Sequence, residues 1–128
     1  MVQEDKELLL KDLCARLPYD TVCQVEFKSD GKYESKNMIL SGIFKDEAYF
    51  TIENGSVYSN DYKPYLFPLS SMTEEQSKVY HELINGMFGT SALINFEVLT
   101  DFFNSNHLDY RGLIKRGLAI DATGLNIY

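Results

Sequence analysis

The sequence predicts an α+β domain: an N-terminal helix, a small antiparallel sheet or partly open barrel of four or five strands, then two or three C-terminal helices. Apolar residues recur at helical spacing from Glu4 to Leu17, alternate with polar ones from Cys23, and return to helical spacing after Ser70. Turn residues at Ser29-Asp30-Gly31-Lys32 and Asn54-Gly55 cut the middle section into short strands, which join as an antiparallel meander.

In the first segment Leu9, Leu10, Leu13, Cys14 and Leu17 share one side, with Lys6, Glu7, Lys11 and Asp12 on the other. That is an amphipathic helix closed by Pro18. Cys23, Val25 and Phe27 then alternate with Gln24, Glu26 and Lys28 in a first strand. Met38 to Phe44 reads as a second strand and Ala48 to Ile52 as a third, separated by the polar turn Lys45-Asp46-Glu47. Tyr62 to Pro68 is extended, but Pro64 and Pro68 donate no ladder hydrogen bond. The segment fits an edge strand or a strap across a sheet end rather than a central strand.

Thr73 and Gln76 have capping-box spacing, and Glu74 and Glu75 suit the positive end of a helix. Val79, Tyr80, Leu83, Ile84 and Met87 make its apolar face, and Gly86 is its stop. After a loop at Gly89-Thr90-Ser91, Asn95 is placed to cap a helix from about Phe96 to Ser105, with Val98, Leu99, Phe102 and Phe103 facing the core. Asp109 is placed to cap a short final helix, Tyr110 to Arg116, ended by Gly117. Leu118 to Ile120 is extended, and the residues from Asp121 either pair as a strand or fray.

At 128 residues and 45% hydrophobic, the chain is expected to form one domain over residues 1–128 with a sizeable core. Nineteen acidic residues against 12 basic ones leave a net charge of −7, which disfavours nucleic acid as a partner. The acids alternate with lysines instead of forming rows, so an acidic anti-defence decoy is the weaker reading. Met1 to Lys6 does not resemble a signal peptide and no apolar run reaches membrane-spanning length, so a cytoplasmic protein without membrane attachment is expected. In that compartment Cys14 and Cys23 are expected as two buried thiols rather than a disulfide.

No metal or cofactor is expected. Cys14, Cys23, His81 and His107 are the soft ligands, with no CxxC or HxxxH pair among them, and no local signature joins a thiol to a base. Gly86-Met87-Phe88-Gly89-Thr90 lacks the lysine and spacing of a phosphate-binding loop. No residue is assigned a catalytic role. Two clusters stand out as binding candidates. In Asp61 to Pro68, a stiff aromatic segment offers Tyr62, Lys63, Tyr65 and Phe67 to a partner, or else covers the open end of the sheet. In Asn104 to Gly112, His107, Asp109, Tyr110 and Arg111 gather between helices. These either line a site or serve the corner, with Asp109 capping and Arg111 in an ion pair to Asp109 or to another segment.

Three blocks, Asp12-Leu13-Cys14-Ala15-Arg16-Leu17-Pro18-Tyr19, Tyr62 to Glu75, and Leu108-Asp109-Tyr110-Arg111-Gly112-Leu113-Ile114, resemble a widespread family of small bacterial and prophage proteins of unassigned activity. The family pattern has Gly after the first block and a basic residue in the middle of the second, where this chain has Asp20 and Phe67. The resemblance implies an intracellular accessory protein and carries over no site residue. The leading expectation is therefore a non-enzymatic interaction or accessory module whose partner is another protein, with homo-oligomerisation compatible. The rival is a small enzyme or ligand-binding protein with its site at the His107 to Arg111 corner.

Overall fold

Helix α1, Gln3–Arg16, buries Leu9 and Leu13 against the inner side of a curled sheet. The computed structural model describes residues 2–45, 47–53, 55–85 and 92–128, with the backbone alone for 92–95. Glu4 and Asp5 lie in the first turn of α1 and Arg16 in the last, matching the helix dipole. Pro18 tightens the chain into a 3₁₀ turn over Leu17–Tyr19, and Asp20 ends it in the left-handed region at φ 51°, ψ 49°. Cys14 departs from the expected pair of buried thiols. It faces solvent while Cys23 is buried, and the two are not bonded to each other.

The sheet contains β1 (Val22–Ser29), β2 (Lys32–Phe44), β3 (Glu47–Ile52), β4 (Gly55–Ser59), β5 (Asp61–Pro68), β6 (Leu108–Asp109) and β7 (Ile120–Asp121). Its order is β4-β3-β2-β1-β5-β6, with β7 also on β5. Strands β1 to β3 form the expected antiparallel meander, β4 extends it by a strand not expected from the sequence, and β5 lies antiparallel to β1. Asp30 and Gly31 both take positive φ, 50° and 79°, which matches the right-handed twist of the hairpin they close. The register shifts between Leu40 and Gly42, so Met38, Leu40 and then Ile43 face the core.

This sheet is larger than the four or five strands expected, and it is mixed, because β6 and β7 run parallel to β5. Each of those two strands has only two residues and exists by pairing with β5, so neither carries a local period. The curl is pinned where β4 passes into β5. Ser59 Oγ donates to Glu26 O at 2.6 Å and accepts from Asp61 N at 3.0 Å. The sheet nevertheless remains unclosed.

Strand β5 is not an edge. Leu66 O accepts from Ala122 N and Phe67 N donates to His107 O, both at 2.8 Å, and successive residues of a strand point these groups to opposite sides. Pro64 and Pro68 alternate with Leu66, so both lie on the side that β7 only partly covers, where a missing N–H leaves no ladder bond unmade.

Thr73 and Gln76 cap α2 (Glu74–Asn85) reciprocally: Thr73 N donates to Gln76 Oε1 at 3.0 Å and Gln76 N to Thr73 Oγ1 at 3.1 Å. The stop expected at Gly86, the packing of Met87 and the loop at Gly89-Thr90-Ser91 lie outside the described residues, as do Asp46 and Asn54 of the expected turns. Helix α3 spans Ala92–Ser105, so Asn95 falls within the helix and does not cap it. Tyr80, Leu83 and Ile84 pack with Leu99 and Phe103 in a second core that also includes Phe67 and Leu108. Tyr110 to Arg116 forms turns instead of a final helix, because Asp109 holds the chain in a tight loop; two helices follow the main sheet. No helix among the described residues is long and apolar enough to cross a membrane.

Candidate functional site

Asp12 and Arg16 lie one helical turn apart on the side of α1 that appeared polar in sequence, and both are fully buried. Burying two charges is unfavourable unless they are paired and hydrogen-bonded. Arg16 Nε donates to Asp12 Oδ2 at 2.7 Å, and Arg16 Nη2 donates to the carbonyl of Leu108 at 2.6 Å. Arg111 Nη1 completes the cluster by donating to Asp12 Oδ1 at 2.9 Å. The Tyr110 ring centroid lies 5.5 Å from the guanidinium carbon of Arg16 and 4.6 Å from that of Arg111, and the ring stacks on Phe103 at 5.0 Å.

Asp109 turns away from this cluster. Its two carboxylate oxygens accept from Leu113 N and Ile114 N, each at 2.9 Å, which fixes the turn after β6. His107 sits in the left-handed region at φ 57° and stacks on Tyr128 with centroids 3.6 Å apart and planes 11° from parallel. Burial, then the charge of Arg16, lowers its pKa from 6.5 to about 4, with Asp20 opposing. The Tyr128 hydroxyl donates to Tyr65 O at 2.7 Å and accepts from Val22 N at 3.0 Å, bridging β5 and β1. Burial raises the pKa of this phenol, with Val22 opposing.

The two sequence clusters therefore adjoin through the Phe67 N to His107 O bond, but their side chains diverge. Tyr62 is buried in the main core, its ring 5.2 Å from Phe50. Tyr65 is also buried, and its hydroxyl donates to Asn37 Oδ1 at 2.7 Å. Lys63 is exposed on β5, and Phe67 is half-buried with its ring 5.9 Å from Tyr128. Tyr110 and Arg111 serve the Asp12 cluster. Sequence reasoning missed Asp12, Arg16 and Tyr128. The available signal for the first two was an acid and a base four apart within the first of the three blocks, all of which converge here.

Four buried polar atoms in this corner, Arg16 Nη1, Asn104 Oδ1, His107 Nδ1 and Tyr110 Oη, make no hydrogen bond to protein. Burial, and secondarily Asp12, pushes the Cys23 thiol far above its usual range, which suppresses its thiolate. His81 Nδ1 is held by its own helix, 2.7 Å from Ser77 O. No group of three His, Cys, Asp or Glu residues among the described residues could hold a metal ion. An open depression at the start of α2 is lined by Thr73, Glu74, Glu75 and Lys78.

A second feature is the sheet face turned away from α1. Ile39 and Ser41, Tyr49 and Thr51, and Ser56 and Tyr58 share this face on β2, β3 and β4, and Glu47 of β3 lies on the same face, where its Oε2 accepts from the Tyr49 hydroxyl at 3.1 Å. Ile39 is 42% exposed and Tyr58 44%, and the Tyr49 and Tyr58 rings pair across strands at 5.7 Å. Phe44, 63% exposed, lies beyond them. No family model, curated protein or solved structure matches the chain.

Proposed function

We propose that this protein is a non-enzymatic interaction module that binds another protein through the exposed sheet face carrying Ile39, Tyr49 and Tyr58. The observation that carries this reading is the exposure of Ile39, Tyr58 and Phe44 on that face, where the one acid of β3, Glu47, is already bonded to the Tyr49 hydroxyl. Tyrosines flanked by Ser and Thr give large, stiff contact area with adaptable hydrogen bonding at low ordering cost.

The ligand-binding alternative at His107, Asp109 and Arg111 has less support, since their side chains go to separate structural partners: Tyr128, two backbone amides and Asp12. The cytoplasm suits the two free thiols, and an accessory role on a phage-like element follows from the family resemblance of the three blocks.

The test is affinity capture and mass spectrometry from the native host, using the wild type, an Ile39→Ser/Tyr58→Ser variant and an Arg111→Ala variant. Loss of specific partners with the sheet-face variant alone is expected. Equal recovery with all three proteins overturns the proposal.

A further inference from the structure

Strand β4 is the outermost strand of the meander and, among the described residues, pairs with β3 alone. The far side of β5 is guarded by Pro64 and Pro68 and by β7, whereas β4 (Gly-Ser-Val-Tyr-Ser) has no proline, lysine or other charge. Those are the devices by which sheets commonly keep edges from pairing. Ser59, tied to Glu26 O and Asp61 N, and Val57, packed against the main core, are drawn into the fold; Gly55, Ser56 and Tyr58 are exposed.

We infer that β4 pairs antiparallel with β4 of a second copy, a two-fold contact that rests on the interaction surface proposed above and gives it an occupant. Two chains of net charge −7 repel unless they meet where neither carries acids. Strand β4 itself supplies such a place: within Gly55–Ser59 no side chain is charged, and the acid of β3, Glu47, lies past the Ala48 and Ser59 pair that ends the ladder. A two-fold axis at Val57 sets Ser56 of one copy opposite Tyr58 of the other, with both residues on the outer face. The Tyr49 and Tyr58 pair of each copy then lies diagonally across the joint from that of the other. So short a strand buries little area, so the dimer is weak and in rapid exchange.

Sedimentation velocity from roughly 1 to 500 μM, a range chosen for a small weak interface, reads this directly. The wild type should shift from monomer toward dimer. Ser56→Glu/Tyr58→Glu, on the exposed face, should remain monomeric with an unchanged circular dichroism spectrum. Mixing it with Ser56→Lys/Tyr58→Lys should restore a heterodimer, because the pairing sets each acid opposite a lysine. A wild type that stays monomeric overturns the inference, as does a dimer indifferent to both variants or a mixture without rescue. None of these three results touches the capture experiment, which can still find a different protein on the Ile39 and Tyr58 face.

Discussion

Arg111 Nη1 meets Asp12 Oδ1 at 2.9 Å across 99 positions of sequence, and through Asp12 it shares one carboxylate with Arg16. The cluster joins α1 to the turn after β6, and the Leu108 carbonyl held by Arg16 ties the same helix to β6 itself. Substituting Asp12→Ala leaves Arg16 buried without its countercharge, and a loss of about 3–5 kcal/mol is expected. Arg111→Ala should cost about 1–2 kcal/mol, because its side chain retains some exposure and Arg16 keeps Asp12 paired. Urea unfolding of both single variants and the double variant measures this, with a coupling of about 1–3 kcal/mol expected for residues in one network.

His107 makes stability depend on acid. Its folded pKa of about 4 lies below the unfolded 6.5, so at pH above 6.5 the ring is neutral in both states and its contribution is fully present. Between 6.5 and 4 only the unfolded chain takes the proton, and stability falls as pH falls. The full difference corresponds to about 3 kcal/mol, and screening at this half-buried ring reduces the expected loss to about 1–2 kcal/mol. His107→Phe should flatten this part of the stability profile, measured by unfolding in buffers across the same window.

Tyr128→Phe removes one hydroxyl that serves two backbone groups, Val22 N and Tyr65 O. The ring contacts to His107 and Phe67 should persist while β1 and β5 lose their bridge. A loss of about 1–2 kcal/mol is expected, with faster hydrogen exchange at the Val22 amide than at Val25 in mid-strand. Equal protection at Val22 in both proteins would remove the bridging role.

Asp20 occupies a left-handed position at φ 51° that glycine takes without steric cost. Asp20→Gly should stabilise the fold by about 0.5 kcal/mol, a small gain because aspartate tolerates this region and glycine loosens the unfolded chain. Removing the carboxylate should also lower the His107 pKa further, since Asp20 is the charge that opposes its depression. Thermal unfolding and histidine titration by NMR read the two effects separately.

Features that depend on neighbours in sequence were legible there. The Thr73 and Gln76 box, the Asp30-Gly31 turn and the alternation of Cys23, Val25 and Phe27 involve residues a few positions apart, and each is observed. The polar corner is visible in sequence as a composition, but its division of labour is not, because no local pattern shows that α1 brings Asp12 beside Arg111. Asp12 itself was placed on the solvent side of α1, since spacing alone cannot distinguish a buried carboxylate flanked by arginines from an exposed one.

The first helix, the first three strands, the sharp turns and the apolar stripes are encoded locally in the sequence, because helix and strand periods and turn chemistry act over a few residues. The tertiary structure alone decided that β5 is paired on both sides, that β6 and β7 exist, that Asp109 caps a turn instead of a helix, and that Asp12 joins two arginines. Each of these depends on contacts between segments distant in sequence, whose geometry no local pattern encodes.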